Sequence, residues 1–140
     1  MKISVALCTY NGARYVDEQL RSILDQSRVP DEIVVSDDAS SDGTLEHVRR
    51  VLAGSTVDAE LIANPAPLGV TRNFQQALAR TTGDVVLLSD QDDVWPVDRV
   101  ARIEADLATS DALLRHSDAR LVDAEGMPLG ETLLGRLRVR

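Results

Sequence analysis

The chain has 140 residues, 44% of them apolar and 27% charged, which is about one domain with enough apolar side chains to build a core. Fifteen basic residues against 23 acidic ones leave a net charge of −8, and no Lys/Arg-rich run lies beside aromatics, which argues against a nucleic-acid backbone or an anionic membrane surface as the main partner. A single cysteine, Cys8, excludes a disulfide framework and a thiolate metal cage.

In chain order, the apolar run Ile3 to Cys8 predicts a buried strand, with Cys8 acting as a small hydrophobe. Asn11-Gly12 reads as a turn and helix cap. Val16, Leu20, Ile23 and Leu24 then fall at helical spacing, predicting a helix from Ala13 to Gln26. Pro30-Asp31 breaks the chain before a second strand, Glu32 to Ser36. The turn Asp37 to Thr44 leads to a helix marked by Leu45, Val48 and Leu52. A weaker strand is expected at Ala59 to Ala63, followed by a loop from Asn64 to Gly69. Val70, Phe74, Ala77 and Leu78 predict a third helix that stops near Thr82-Gly83. A fourth strand runs to Leu88, and Val100, Ile103 and Leu107 mark a fourth helix. Leu113 to Val122 is expected to be extended, with a turn at Ala124-Glu125-Gly126. Leu133 to Arg140 shows no clear period. No stretch approaches the roughly 18 apolar residues of a membrane-spanning helix. The apolar start is too short for a signal peptide, so a cytoplasmic location is expected.

Strands alternating with helices predict an α/β fold, a mostly parallel sheet flanked by helices on both faces. Ligands of such sheets bind outside the carboxyl ends of the strands. That rule brings three motifs to one edge: Thr9-Tyr10-Asn11 after the first strand, Asp37-Asp38 after the second, and Asp90-Gln91-Asp92-Asp93 after the fourth. Three carboxylates within four residues repel one another unless a cation sits among them. Mg²⁺ or Mn²⁺ suits such a run, because these hard cations take one or two carboxylates and leave positions for water and phosphate. A carboxylate at Asp37 or Asp38 can accept a hydrogen bond from a nucleobase imide N–H or a ribose hydroxyl.

Other readings of these motifs fit less well. Asp38, Ser40, Asp42 and Gly43 match the first half of an EF-hand loop, but its twelfth position is Arg49 and a strand precedes it. Ser41 and Asp42 are expected to cap the following helix. A receiver-type signalling domain is also doubly wound with an acidic pocket, but the only lysine, Lys2, precedes the first strand. With no phosphate-binding lysine, phosphate charge must be met by a metal or by an arginine, and Arg72 at the start of the third helix is the candidate. His47 and His116 lack a second ligand at metal spacing, and Ser89 and Ser117 lack a His-and-acid arrangement. Trp95 either walls the ligand site or packs under the next helix.

Taken together, Ser4 to Gly12, Gln26-Ser27, Glu32 to Thr44, Asn64 to Gly69 and Thr82-Gly83-Asp84 running into Ser89 to Trp95 resemble the nucleotide-sugar-binding half of family 2 glycosyltransferases with the GT-A fold, most closely the rhamnosyltransferase-like members. The resemblance implies a nucleoside pocket lined by Thr9, Tyr10 and Asp38 (or Asp37), with Asn11, Arg72 and Asp90 also at the nucleotide sugar. It implies an Asp-x-Asp at Asp90 and Asp92, with Asp92 or Asp93 touching a Mg²⁺ or Mn²⁺ ion that bridges the diphosphate. Where relatives often read Leu-Pro after the tryptophan, this chain has Pro96-Val97. The implied reaction is glycosyl transfer from a nucleoside diphosphate sugar to a saccharide or other hydroxyl acceptor, as in cell-surface polysaccharide synthesis. The expected organisation is a binding domain at residues 1–126 and a tail at residues 127–140 that begins an acceptor-side half not contained here. No residue is assigned as the catalytic base. Asp118 and Asp123 are the only later carboxylates near plausible strand ends. Two further expectations are self-association through apolar faces and, as an alternative function, a non-catalytic nucleotide-binding module that works with a partner.

Overall fold

The computed structural model describes residues 1–137; residues 138–140, the end of the aperiodic tail, lie outside it. The chain forms two compact units, Met1–Ala108 and Thr109–Arg140.

The first unit is a four-stranded sheet in the order β3-β2-β1-β4, built from β1 (Ile3–Thr9), β2 (Glu32–Asp37), β3 (Asp58–Ala63) and β4 (Val85–Asp90). All three pairings are parallel. β1 and β2 are buried along their whole length, which accounts for their near-continuous apolar runs. Helices α1 (Val16–Leu24), α2 (Thr44–Ala53), α3 (Val70–Arg80) and α4 (Arg99–Ala108) connect or follow the strands. Side chains alternate along each strand, so the sheet feeds two cores. Val5, Leu7, Ile33, Val35 and Leu87 pack with Val16, Leu20 and Ile23 of α1, Val48 and Val51 of α2, and Val100 of α4. Ala6, Cys8 and Val34 face the other way, onto Ala77 and Phe74 of α3. The mostly parallel sheet with helices on both faces is thus as expected.

Several local expectations change. α1 begins at Val16, and its cap position, Tyr15, makes no side-chain cap hydrogen bond, so Asn11-Gly12 is a turn but not the cap. The Asn11 side chain is committed elsewhere, accepting from the Ser41 backbone N–H at 2.9 Å. The cap of α2 is Gly43, at φ +95°, with no side-chain cap hydrogen bond, so neither Ser41 nor Asp42 is the cap; Asp42 only accepts from Thr44 N at 3.1 Å, and the Ser41 N–H is taken by Asn11. β4 runs two residues past Leu88, so Asp90 is the last residue of the strand.

The second unit is a hairpin of β5 (Arg120–Val122) and β6 (Pro128–Thr132), followed by α5 (Leu133–Leu137). Only the end of the predicted Leu113 to Val122 segment is a strand. Leu113 and Leu114 are exposed, and among the described residues no facing strand satisfies an extended backbone there. The turn at Ala124-Glu125-Gly126 forms as expected: Gly126 takes φ +82°, and Asp123 Oδ1 accepts from the Glu125 and Met127 N–H groups at 3.0 and 2.8 Å. Among the described residues, no helix is long and apolar enough to cross a membrane.

Gly83 fixes how β4 enters the sheet. Its N–H donates to Ser4 Oγ at 2.9 Å, and a Cβ there would lie 2.5 Å from Ser4 Oγ and 2.8 Å from Ser4 N. The obstructing atoms belong to a central strand and cannot move away cheaply. Gly83→Ala is therefore expected to lower stability by about 1–3 kcal/mol, the usual cost of overpacking. Urea denaturation checks this, and an unchanged midpoint would show that the turn yields freely.

Candidate functional site

The connections define where a ligand fits. From β1 the chain crosses through α1 to β2 on one side; from β3 it crosses through α3 to β4 on the other. The order reverses between β1 and β4, and such a switch point leaves a crevice outside the carboxyl ends of the two strands. The register places Cys8 beside Asp90 and Thr9 beside Asp37, so the ends of β4, β1 and β2 stand side by side.

One wall of this edge is a hydrogen-bonded shelf. Asp37 is fully buried and accepts from Thr9 Oγ1 at 2.7 Å, Ser40 N at 2.9 Å and Ser40 Oγ at 2.6 Å. Asp38 is 5% exposed and accepts from the N–H groups of Leu68 at 2.6 Å and Gly69 at 2.9 Å, and from Asn64 Nδ2 at 3.2 Å. Burial pushes the Asp38 carboxyl up, but these three hydrogen bonds outweigh it and hold the group below the usual carboxylate range. The same bonds fasten the Asn64 to Gly69 loop, and with it the start of α3, to the end of β2. Below them Asn73, from the buried side of α3, donates to the Ser36 carbonyl at 2.8 Å, and Gln76 bonds Ser36 Oγ and Asn64 Oδ1. Tyr10 is half-exposed beside this shelf. Asn11, at φ +48°, donates its N–H to Ser40 Oγ at 2.8 Å and so ties the first loop to the second. Arg72 stands on the first turn of α3, exposed and without a hydrogen bond or ion pair among the described residues.

The other wall is acidic. Asp90, Asp92 and Asp93 are all exposed. Asp90 is exposed as a residue, but partial desolvation of its carboxyl against the crevice first, and then the Asp92 charge, raises it above its ordinary value. Burial, then Asp90 and Asp92, raises Asp93, with Arg99 opposing. Among the described residues no three His, Cys, Asp or Glu side chains converge as a ready-made metal cage. The acidic loop is held from beneath by polar side chains of α1 and by Gln26 just after it. Gln19 Nε2 donates to Ser89 Oγ, Ser22 Oγ accepts from Trp95 N at 3.0 Å, and Gln26 Nε2 donates to the Pro96 carbonyl at 2.7 Å. Trp95 is buried in the core with Arg99 stacked 4.8 Å over its ring, which settles its role as packing. Cys8 lies just behind the crevice. Burial, then the charges of Asp90 and Asp38, pushes its thiol up to about 12, so it behaves as the expected small hydrophobe.

A model of the family described as glycosyl transferase family 2 matches residues 4–114. The chain belongs to that family. It is 34% identical to an uncharacterized glycosyltransferase of Nostoc sp. (strain PCC 7120) over 122 residues, covering 84% of this chain and 37% of the relative. It is 32% identical to a dTDP-rhamnosyl transferase of Shigella flexneri over 102 residues, covering 67% of this chain and 34% of that one. Among solved structures, the mannosyltransferase of Pyrobaculum calidifontis in complex with GDP-Man and Mn²⁺ superposes with a TM-score of 0.71 and 27% identity, over 87% of this chain and 35% of that one. The chain thus spans about a third of the length of these relatives. The likeness establishes the GT-A-type architecture for this family 2 glycosyltransferase chain.

The fold brings Thr9, Tyr10, Asn11, Asp37, Asp38, Asp90, Asp92 and Asp93 to one edge, and α3 brings Arg72 to the neighbouring loop. The sequence reading gave no mounting role to the polar residues that hold these groups: Gln19 and Ser22 on α1, Gln26 just after it, Asn73 and Gln76 on α3, and Gln91 in the acidic loop. A signal for some of them is present. Gln19 falls between Val16, Leu20 and Ile23, and Asn73 and Ala77 are the buried residues of α3, so a polar side chain interrupts each buried stripe. Asp118 and Asp123 serve the second unit's own backbone. Asp118 accepts from Leu134 N at 2.9 Å and Ala119 N at 2.8 Å, and these bonds, led by that from Leu134, hold its carboxyl low.

Proposed function

We propose that this chain binds a nucleoside diphosphate sugar at the β1/β4 crevice through a divalent cation, for glycosyl transfer to a hydroxyl acceptor such as a cell-surface saccharide. The observation that carries the reading is the crowded carboxylate run at the end of β4, beside the hydrogen-bonded shelf at the ends of β1 and β2 and with no lysine near it. The donors fit Mg²⁺ or Mn²⁺: they are hard oxygens, and these ions need only one or two carboxylates when phosphates and water complete the sphere. Asp92 with Asp90 or Asp93 would hold the ion. When bound, it neutralises charge developing on the departing diphosphate. Tyr10 and Asn11 would flank the nucleoside, with Thr9 and Asp37 holding the floor beneath. Asp38 reaches a base or ribose by giving up one of the hydrogen bonds it accepts from the Asn64 to Gly69 loop. Arg72, exposed on the first turn of α3, would be a second source of positive charge for the phosphates. The rhamnosyl relative makes a dTDP-deoxysugar the first donor to try. Asp118 and Asp123 are committed to hairpin backbone, so neither is proposed as the base that inverting transfer needs.

Calorimetry with UDP, GDP and dTDP, in Mn²⁺ and in EDTA, tests this reading. The best of the three is expected to bind at least about tenfold more tightly with Mn²⁺, a modest coupling energy. Equal affinity in both buffers would remove the metal from the proposal, and no binding of any of them would remove the nucleotide.

A further inference from the structure

We propose that Gln91 is a positioning residue that couples the nucleoside wall of the crevice to its acidic wall; the inference rests on the nucleotide-and-metal reading above. β1 and β4 are paired as far as Cys8 and Asp90. Beyond that rung the two chains separate, β1 toward α1 and β4 toward α4. The Gln91 side chain spans the gap. Its Oε1 accepts from Tyr10 N at 2.8 Å and its Nε2 donates to the Tyr10 carbonyl at 3.0 Å. An amide that gives and takes one hydrogen bond with the same residue replaces the next rung of the strand ladder. Only one orientation of the amide satisfies both partners, so its oxygen and nitrogen are fixed by the backbone they meet.

The space for this latch is provided by Gly12. A Cβ on Gly12 would lie 2.1 Å from Gln91 Oε1 and 2.4 Å from its Cδ. At the far end of the acidic loop, Trp95 N is held by Ser22 at 3.0 Å. Only Asp92, Asp93 and Val94 lie between the two fastenings, and both carboxylates of that short span are exposed. Metal chelation by an Asp-x-Asp asks nothing of the middle residue. Here that residue sets the spacing between Tyr10, on the nucleoside side, and the carboxylates on the diphosphate side. A ligand that touches both walls gains from having that spacing fixed before it binds, because less freedom remains to be lost.

The quantity to measure is the ratio of Kd in EDTA to Kd in Mn²⁺, for whichever of UDP, GDP and dTDP binds the unmodified chain best. Gln91→Ala is expected to shrink that ratio at least about fivefold, while the affinity in EDTA moves by less than about twofold. Gly12→Ala supplies an arm that leaves Gln91 in place. It should shrink the ratio alone, but have little further effect in the Gln91→Ala background, where the space is vacated. A ratio that survives Gln91→Ala while the melting temperature falls would make Gln91 purely structural and overturn the inference, as would additive effects of the two substitutions. A ratio of one in the unmodified chain is a different failure: the metal reading falls, and the inference with it.

Discussion

Asp37→Ala is expected to lower the free energy of unfolding by about 3–5 kcal/mol, because three donors aimed at one buried carboxylate lose their acceptor together and each costs roughly 1–3 kcal/mol when left unmade. Thr9 is 2% exposed and Asp37 fully buried, so the Thr9 hydroxyl recovers little of its bond from solvent. Ser40 loses both its backbone and its hydroxyl contact. The damage spreads, because Ser40 Oγ also accepts from Asn11 N and Ser41 N is held by the Asn11 side chain. Both loops of the shelf then lose their register. Asp37→Asn should cost less, since its carbonyl keeps one or two of the bonds while its NH₂ faces donors. Chemical denaturation separates these outcomes. A loss below about 1 kcal/mol for Asp37→Ala would mean the shelf stands on other contacts, and would return Asp37 to the nucleoside pocket as a ligand-facing group.

The elements that were legible in the sequence are those whose signal is local. β1 and β2 read correctly because strands buried on both faces carry near-continuous apolar runs, here Val5 to Cys8 and Ile33 to Val35, and α1 to α4 because each keeps a periodic apolar stripe. The carboxyl-end rule then sufficed to bring the Thr9, Asp37 and Asp90 segments to one edge without any contact being known. What was not legible depends on partners distant in sequence. Nothing local marks Gln91 as bonded to Tyr10, or Gln19 to Ser89, across about 70 to 80 residues of chain. A strand such as β6 carries no apolar alternation because both its faces are largely exposed, and α5 is too short to show a period. The Leu113 to Leu114 stretch misled for the opposite reason: its apolar residues meet no neighbouring strand, so composition alone could not make it one.

Asp90→Asn is expected to abolish most of the Mn²⁺-dependent gain in nucleotide affinity while leaving the metal-free protein at least as stable as before. Both halves follow from the same crowding. Burial, then Asp92, lifts the Asp90 carboxyl in the folded state, so its ionised form is disfavoured by folding. Below the unfolded value of about 3.9 the carboxyl is protonated in both states and the cost is absent. As pH rises through the raised folded value, the folded chain has to carry an ionised group it disfavours, and stability from this site is lost. Asparagine carries no such cost. The variant should therefore match the unmodified chain near pH 3 and exceed it at pH 7, with Asp93 relieved as well because Asp90 is the first charge acting on it after burial. Added Mn²⁺ should reverse the order at pH 7. The ion stabilises the unmodified chain by mass action and the variant far less, since losing a ligand carboxylate should exceed the roughly 10–100-fold that removal of a mere supporting partner costs. Thermal denaturation at both pH values, with and without Mn²⁺ and nucleoside diphosphate, reads all four corners. A metal-free variant less stable at pH 7 would show that Asp90 makes a stabilising contact at the end of β4. An Mn²⁺ gain left intact would place the ion on Asp92 and Asp93 alone.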